Sequence, residues 1–152
     1  MIKQPSNVSE IIVSYYPVNG GKPIIRTASE AYRLFWEFFP GSTIHLQERF
    51  FAMYLNRRNR VIGVYPIAVG GITGTVADLR LVLSVALKTA ATSIVVAHNH
   101  PSGSIQPSQG DIDVTTKLNQ AAKTMDIRLM DHLILSLEEG VYFSFADERI
   151  LC

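Results

Sequence analysis

Residues 94–111 read IVVAHNHPSGSIQPSQGD. Of all segments of the chain, this one says most about its fold and its chemistry. Its first four residues are apolar without a polar break, which is typical of a central strand buried on both faces. Two histidines follow where this strand leaves the core, and Asp111 falls in the first turn of a helix that begins at Ser108. The pattern therefore predicts three polar side chains at one strand end.

The spacing of the two histidines suits a metal site. Pro101 disfavours a helical conformation of the residue before it, so His100 stays extended and projects to the same side as His98. Two imidazoles and a carboxylate suit zinc, and three protein ligands leave a fourth position for water, as in hydrolytic zinc sites. The prediction is a catalytic zinc site held by His98, His100 and Asp111. The single cysteine, Cys152, excludes a cysteine-rich structural site.

Each of these residues also has a simpler interpretation when it is taken singly. Ser108 and Asp111 have the spacing of a capping box, and the helix dipole favours a carboxylate in the first turn. His98 and His100 could serve only to hydrogen-bond the loop that follows the strand. The combination of all three at one strand end is what favours the metal site.

The remaining sequence predicts strands and helices that interleave, with hairpins at both ends. In chain order the predicted elements are a strand at 11–16, a helix capped by Thr27 and Glu30, a hairpin of 48–55 and 61–65 with Glu48 at its start, a short strand at 67–69, a helix capped by Thr75 with an apolar stripe from Leu79 to Ala90, the strand at 94–97, a helix from Ser108 to Met125, and strands at 127–135 and 141–145. This order predicts an α/β or α+β protein, with a mixed sheet flanked by helices.

Composition narrows the class of protein. A chain of 152 residues with 47% hydrophobic residues predicts one domain over 1–152, in which residues 1–26 are an extension of uncertain structure. The formal charge of +1 gives no overall field that would attract nucleic acid or an anionic membrane. No signal peptide and no run of about 18 apolar residues is evident, so a cytoplasmic protein without a membrane partner is expected. A basic cluster lies on the predicted hairpin turn and consists of Arg57, Arg58 and Arg60. We interpret these side chains as solvated rather than as contacts to phosphate.

The motif His98-x-His100-Pro101 followed by Ser108-x-x-Asp111 resembles the JAMM metalloprotease signature. In its fuller form, HNHPSG followed by PS and D, it is similar to the RadC branch of the JAB/MPN superfamily. The resemblance extends over roughly the last two thirds of the chain. Its further segments are 55–62, 71–80, 131–134 and 142–145.

The resemblance implies a cytidine-deaminase-like JAB/MPN fold, one zinc ion held by His98, His100 and Asp111, and an upstream glutamate as general acid and base. Glu48 is the matching residue, and an exposed strand-end charge is its simpler interpretation. Ser108 would hydrogen-bond behind the ligands or help an oxyanion, and a role as a plain N-cap is equally compatible. The implied activity is hydrolysis of a peptide or isopeptide bond in a substrate that the residues do not identify.

Two departures limit what the resemblance implies. Asn99 stands where the eukaryotic ubiquitin-removing members have Ser or Thr, so their substrate is not carried over. A helix-hairpin-helix region, common at the start of RadC proteins, has no clear counterpart before Glu48, which leaves DNA association with little support. The aromatic residues Phe35, Trp36, Phe38 and Phe39 are interpreted as core, with a homodimer surface as the alternative.

Three other functions compete with the hydrolase. An HNH nuclease has little support because its name denotes three dispersed residues, so its match to the string at 98–100 is accidental. A base deaminase needs His-x-Glu and Pro-Cys-x-x-Cys, which the sequence lacks. A scaffolding module without hydrolytic activity stays open, and measured zinc would separate it from the hydrolase. His132 and His45 are interpreted as hydrogen-bonded structural histidines rather than ligands.

Overall fold

The structure is a computed structural model that describes residues 7–70 and 77–151. The elements in these residues are α1 (Ala28–Phe38), β1 (Arg49–Leu55), β2 (Val61–Val69), α2 (Leu79–Lys88), β3 (Ser93–Asn99), α3 (Gln109–Thr124), β4 (Arg128–Leu135) and β5 (Tyr142–Ser144). The strands form one sheet in the order β2-β1-β3-β4-β5. β3 and β4 are parallel and the other neighbours are antiparallel. The predicted mixed sheet with flanking helices, of α+β class, is confirmed.

β3 is the central strand, and every one of its residues is buried. The unbroken apolar run predicted this position because both faces of the strand are covered. Val95 and Ala97 pack in the core on the side of α1. Ile94 and Val96 pack in the core on the side of α2 and α3. Side chains of β3 therefore alternate between two separate cores, and this alternation decides where each polar residue at its end points.

The helix starts follow local sequence signals where the structure describes them. α1 begins with a complete capping box of Thr27 and Glu30, as predicted. The cap predicted at Thr75 lies outside the described residues, and the N-cap of α2 is Asp78, whose carboxylate accepts from the backbone N–H of Arg80 at 2.9 Å. No membrane-spanning candidate occurs among the helices of residues 7–70 and 77–151.

Three predictions about strands and packing were wrong in detail. Residues 11–16 form no strand, and Ile11 and Ile12 are 87% and 76% exposed, because apolar residues alone do not make a strand without a neighbour to pair with. The short strand predicted at 67–69 is the continuation of β2, which pairs with β1 as far as Val69. Phe38 is 43% exposed and does not belong to the core.

Most of the predicted helix stripes are buried. In α2 the buried residues of the stripe are Val82, Leu83 and Ala86. Leu87 leaves the predicted stripe with 55% of its surface exposed, and Met125 at the end of α3 is 45% exposed. Ala86 and Ala122, in the last turns of the same two helices, are fully buried, so only the side of each turn that faces away from the core is exposed.

Candidate metal centre

The polar side chains that the sequence singles out lie where β3 ends and α3 begins. His98 shares the α3 side of the sheet with Val96, and its ring stacks on Phe50 of β1 at 5.9 Å between centroids. After β3 the chain turns back on itself, with the backbone N–H of Gly103 donating to the carbonyl of His100 at 2.9 Å. Gly103 has φ of +84°, a conformation that glycine adopts at little cost.

His98, His100 and Asp111 converge on one point. The Nε2 atoms of the two histidines are 2.9 Å apart. Asp111 brings Oδ1 to 3.1 Å from Nε2 of His98 and Oδ2 to 3.2 Å from Nε2 of His100. Four ligands at zinc bond lengths of about 2.0–2.2 Å in a tetrahedron are themselves roughly 3.3–3.6 Å apart. The three side chains therefore fit a zinc ion in donor chemistry and nearly fit it in spacing.

Glu48 belongs to the same cluster. One of its carboxylate oxygens and the ring nitrogens of His98 and His100 all lie within 4.8 Å of one another. Glu48 directly precedes β1, it is half-buried, and its carbonyl accepts from the backbone N–H of Gly70 at 2.8 Å. A carboxylate at this place can exchange a proton with water beside the histidines, and it can also bind a metal.

The hydrogen bond behind His100 fixes the tautomer that its neutral ring adopts. Nδ1 lies 2.8 Å from the carbonyl oxygen of Ser104. A carbonyl can only accept, so Nδ1 carries the proton and the lone pair of the neutral ring is on Nε2, the atom that faces His98 and Asp111. The turn after β3 thus directs the lone pair of the neutral His100 ring toward His98 and Asp111.

A longer chain of hydrogen bonds lies behind His98. Its Nδ1 is 2.8 Å from Nε2 of His132, and Nδ1 of His132 is 2.6 Å from Oγ1 of Thr115. Thr115 donates its hydroxyl to the carbonyl of Asp111, so it accepts from His132, which in turn accepts from Nδ1–H of His98. Burial lowers the pKa of His132 well below its ordinary value and keeps the ring neutral. The lone pair of His98 is left on Nε2, toward the cluster.

The sequence alone could not identify this hydrogen-bond relay, which runs from His98 through His132 to Thr115. His132 is a hydrogen-bonded histidine, as the sequence predicts, but its partner His98 is 34 residues away in the chain. The contact depends on the parallel pairing of β3 with β4, in which Val96 is opposite His132. His45, which the sequence analysis grouped with His132, is exposed and does not belong to the cluster.

The charges of the cluster support one another. Burial opposes ionisation of Asp111. Without a metal, an imidazole that takes up a proton at Nε2 donates it to Asp111, and such hydrogen bonds from His100 and His98 outweigh burial and hold the pKa of Asp111 far below its usual range. The hydrogen bond with Asp111 raises the pKa of His100 above its ordinary value, although burial acts in the opposite direction. Asp111 is therefore ionised at neutral pH and offers negative charge to a cation.

Ser108 acts as the N-cap of α3. Its Oγ accepts from the backbone N–H of Asp111 at 3.1 Å, and its own N–H donates to Oδ2 of Asp111 at 2.7 Å. This reciprocal capping box orients the Asp111 carboxylate toward the histidines. The capping interpretation of Ser108 is confirmed, and its help to an oxyanion stays a prediction.

Comparisons with known proteins point to one family. The model of a family described as the RadC-like JAB domain matches residues 25–150. A UPF0758 protein of Flavobacterium johnsoniae is 43% identical over 103 residues, which cover 68% of this chain and 44% of that protein. A UPF0758 protein of Porphyromonas gingivalis is 42% identical over 105 residues, or 69% of this chain and 46% of that protein. The chain thus aligns with less than half the length of these relatives.

Proposed function

The chain belongs to the RadC-like JAB domain family, and we propose that it is a zinc-dependent hydrolase of a peptide or isopeptide bond. One observation carries the proposal: His98, His100 and Asp111 converge to separations of 2.9–3.2 Å, and Glu48 has its carboxylate within 4.8 Å of both imidazoles. Three protein ligands leave a fourth position for water at a zinc ion, and a carboxylate beside that position can accept the proton of the water.

Each ligand has a defined part in holding the metal. His98 and His100 present Nε2 lone pairs, because their Nδ1 atoms are engaged with His132 and with the carbonyl of Ser104. Asp111 contributes a carboxylate that stays ionised at neutral pH. When bound, zinc supplies the Lewis acidity that makes the attack of water on a carbonyl carbon feasible near pH 7.

Glu48 carries the proton in this mechanism. Its carboxylate accepts a proton from the attacking water, whose oxygen forms the new bond to the carbonyl carbon. As the carbon–nitrogen bond breaks, Glu48 passes the same proton to the leaving nitrogen, so that an acid and an amine are released and Glu48 is regenerated. Its half-buried position lets water reach it while the histidines remain close.

The substitution Glu48→Gln tests the proposal because it retains size and hydrogen bonding but removes the basic carboxylate. Zinc content should stay at about one ion per chain, and cleavage of a fluorogenic peptide or isopeptide should fall by about 10²-fold or more. His98→Ala, as the control, should lose both zinc and cleavage. Zinc binding by the wild type without cleavage of any peptide, isopeptide or DNA substrate in a broad screen would favour the scaffolding module instead.

A further inference from the structure

Asn99 lies between the two histidines in the sequence and is not one of the residues of the candidate metal centre. It is completely buried at the end of β3. A buried carboxamide is costly unless its donors and acceptor find partners. Its Nδ2 donates to the carbonyls of Ile44 and Gln47 at 2.9 and 3.0 Å, and its Oδ1 accepts from the backbone N–H of Arg49 at 2.8 Å. Both amide hydrogens and the oxygen are therefore used.

These three hydrogen bonds surround Glu48 in the chain. The carbonyl of Gln47 is held just before it and the N–H of Arg49 just after it, while the carbonyl of Glu48 itself is held by Gly70. Side chains alternate along β3, so Asn99 lies on the side of α1 and His98 on the side of α3. Asn99 thus holds the backbone of Glu48 from behind, and the Glu48 carboxylate lies among the histidines in front.

We propose that Asn99 is a positioning residue that holds residues 44–49 so that the carboxylate of Glu48 reaches the two histidines. Its importance for catalysis rests on the proposed function, in which Glu48 carries the proton. The geometry calls for a carboxamide in particular. A serine or threonine hydroxyl has one hydrogen and cannot donate to two carbonyls, and an ionised aspartate has none to donate. An asparagine offers two donors and an acceptor from one side chain.

Hydrogen–deuterium exchange of Asn99→Ala tests the proposal without any substrate. The Arg49 amide should exchange at least about tenfold faster, with faster exchange across 44–49, because its acceptor is lost. Amides of α3 and β4 should keep their protection, and zinc stoichiometry should be unchanged. The matched control is Tyr54→Phe, which removes another buried hydrogen bond of β1, the one to the carbonyl of Val82 at 2.9 Å, and should leave 44–49 as in the wild type.

Two exchange results with Asn99→Ala would overturn the proposal. One is unchanged exchange at Arg49 in Asn99→Ala, and the other is uniformly faster exchange throughout the sheet, which would show a general structural role. If Asn99→Ala does not fold, Asn99→Asp replaces it, since it keeps the acceptor for Arg49 and loses the amide donors. In that variant Arg49 should stay protected while residues 44–47 exchange faster, and wild-type exchange of 44–47 would contradict the proposal.

A double-mutant cycle links the positioning to turnover. With a fluorogenic peptide or isopeptide that the wild type cleaves, Asn99→Ala should lower kcat about tenfold or more and leave KM and zinc content unchanged. In the Glu48→Gln background the same change should have little further effect, and equal losses in both backgrounds would overturn the proposal. A wild type that cleaves nothing would refute the proposed function alone, because the exchange result does not depend on turnover.

Discussion

The first and third helices begin with the same local device and use it differently. Thr27 and Glu30 form a reciprocal capping box at the start of α1, and Ser108 and Asp111 form one at the start of α3. The N-cap oxygen accepts from the third residue at 3.2 Å in α1 and at 3.1 Å in α3. Judged by these local hydrogen bonds, the two helix starts are nearly equivalent.

The two capping carboxylates differ in the groups that they contact. Glu30 accepts from the backbone N–H groups of Arg26 and Thr27, and these bonds lower its pKa in an exposed setting. Asp111 accepts a backbone N–H as well, but its two oxygens also face His98 and His100. The capping carboxylate of α3 faces two imidazoles because β3 ends at the start of α3, which is a property of the fold and not of the capping box.

The largest expected effect separates the two carboxylates. Asp111→Ala removes one of three proposed ligands, so zinc affinity should fall by well over about 10²-fold, more than the loss of a residue that only supports a ligand. Glu30→Ala removes the corresponding carboxylate of α1 and should leave zinc affinity unchanged, with a small loss of thermal stability. Equilibrium dialysis with metal analysis measures both, and wild-type zinc content in Asp111→Ala would rule out the site.

A smaller effect is expected from the relay behind His98, which has no counterpart behind the box of α1. His132→Phe keeps a ring of similar shape stacked on Phe145, at 4.8 Å between centroids, and removes the acceptor for Nδ1–H of His98. Zinc affinity should fall about 10- to 100-fold, as for other residues that orient a ligand. Competition with a chelating dye measures it, and His45→Phe is the control at an exposed position. Unchanged affinity in His132→Phe would show that the relay is only structural.

The sequence predicted what depends on neighbours in the chain. The apolar run of Ile94 to Ala97 predicted a buried central strand, and the capping signals at Thr27 and Ser108 predicted the starts of α1 and α3. It could not identify contacts between residues that are far apart in the chain. Residues 11–16 are apolar but pair with no strand, and the buried places of His132 and Asn99 depend on contacts with residues 17 to 55 positions away.

The two boxes should also differ in their response to pH. Asp111 raises the pKa of His100, so this imidazole starts to take up a proton nearer to neutrality than a free histidine. A protonated imidazole cannot bind zinc, and affinity should therefore fall as pH decreases from 7.5 to 5.5, by up to about tenfold per pH unit for each proton displaced. Asp111 adds nothing to this slope because its lowered pKa keeps it ionised throughout. Isothermal titration across this range measures the slope, and Glu30→Gln should give the same curve as the wild type.

The smallest expected effect is that of the cap hydroxyls, and it distinguishes a cap from a catalytic group. In the metal-free protein, Thr27→Ala and Ser108→Ala should each lower the free energy of unfolding by about 1 kcal/mol, because each removes one side-chain acceptor from a helix start. In Ser108→Ala the backbone N–H of Ser108 still holds Oδ2 of Asp111, so zinc affinity should weaken only a few-fold. With saturating zinc, a few-fold weaker affinity should make Ser108→Ala less stable than Thr27→Ala by up to about 1 kcal/mol, since bound ligand stabilises in proportion to the logarithm of its affinity.

Turnover separates the two possible roles of Ser108. A hydroxyl that only caps leaves kcat nearly unchanged once zinc is saturating, whereas one that stabilises an oxyanion lowers kcat by about 10²-fold when it is removed. We expect the smaller change because the capping hydrogen bond from the backbone N–H of Asp111 is enough to explain the presence of the Ser108 hydroxyl. A large loss of kcat at full zinc occupancy would assign Ser108 to the reaction itself.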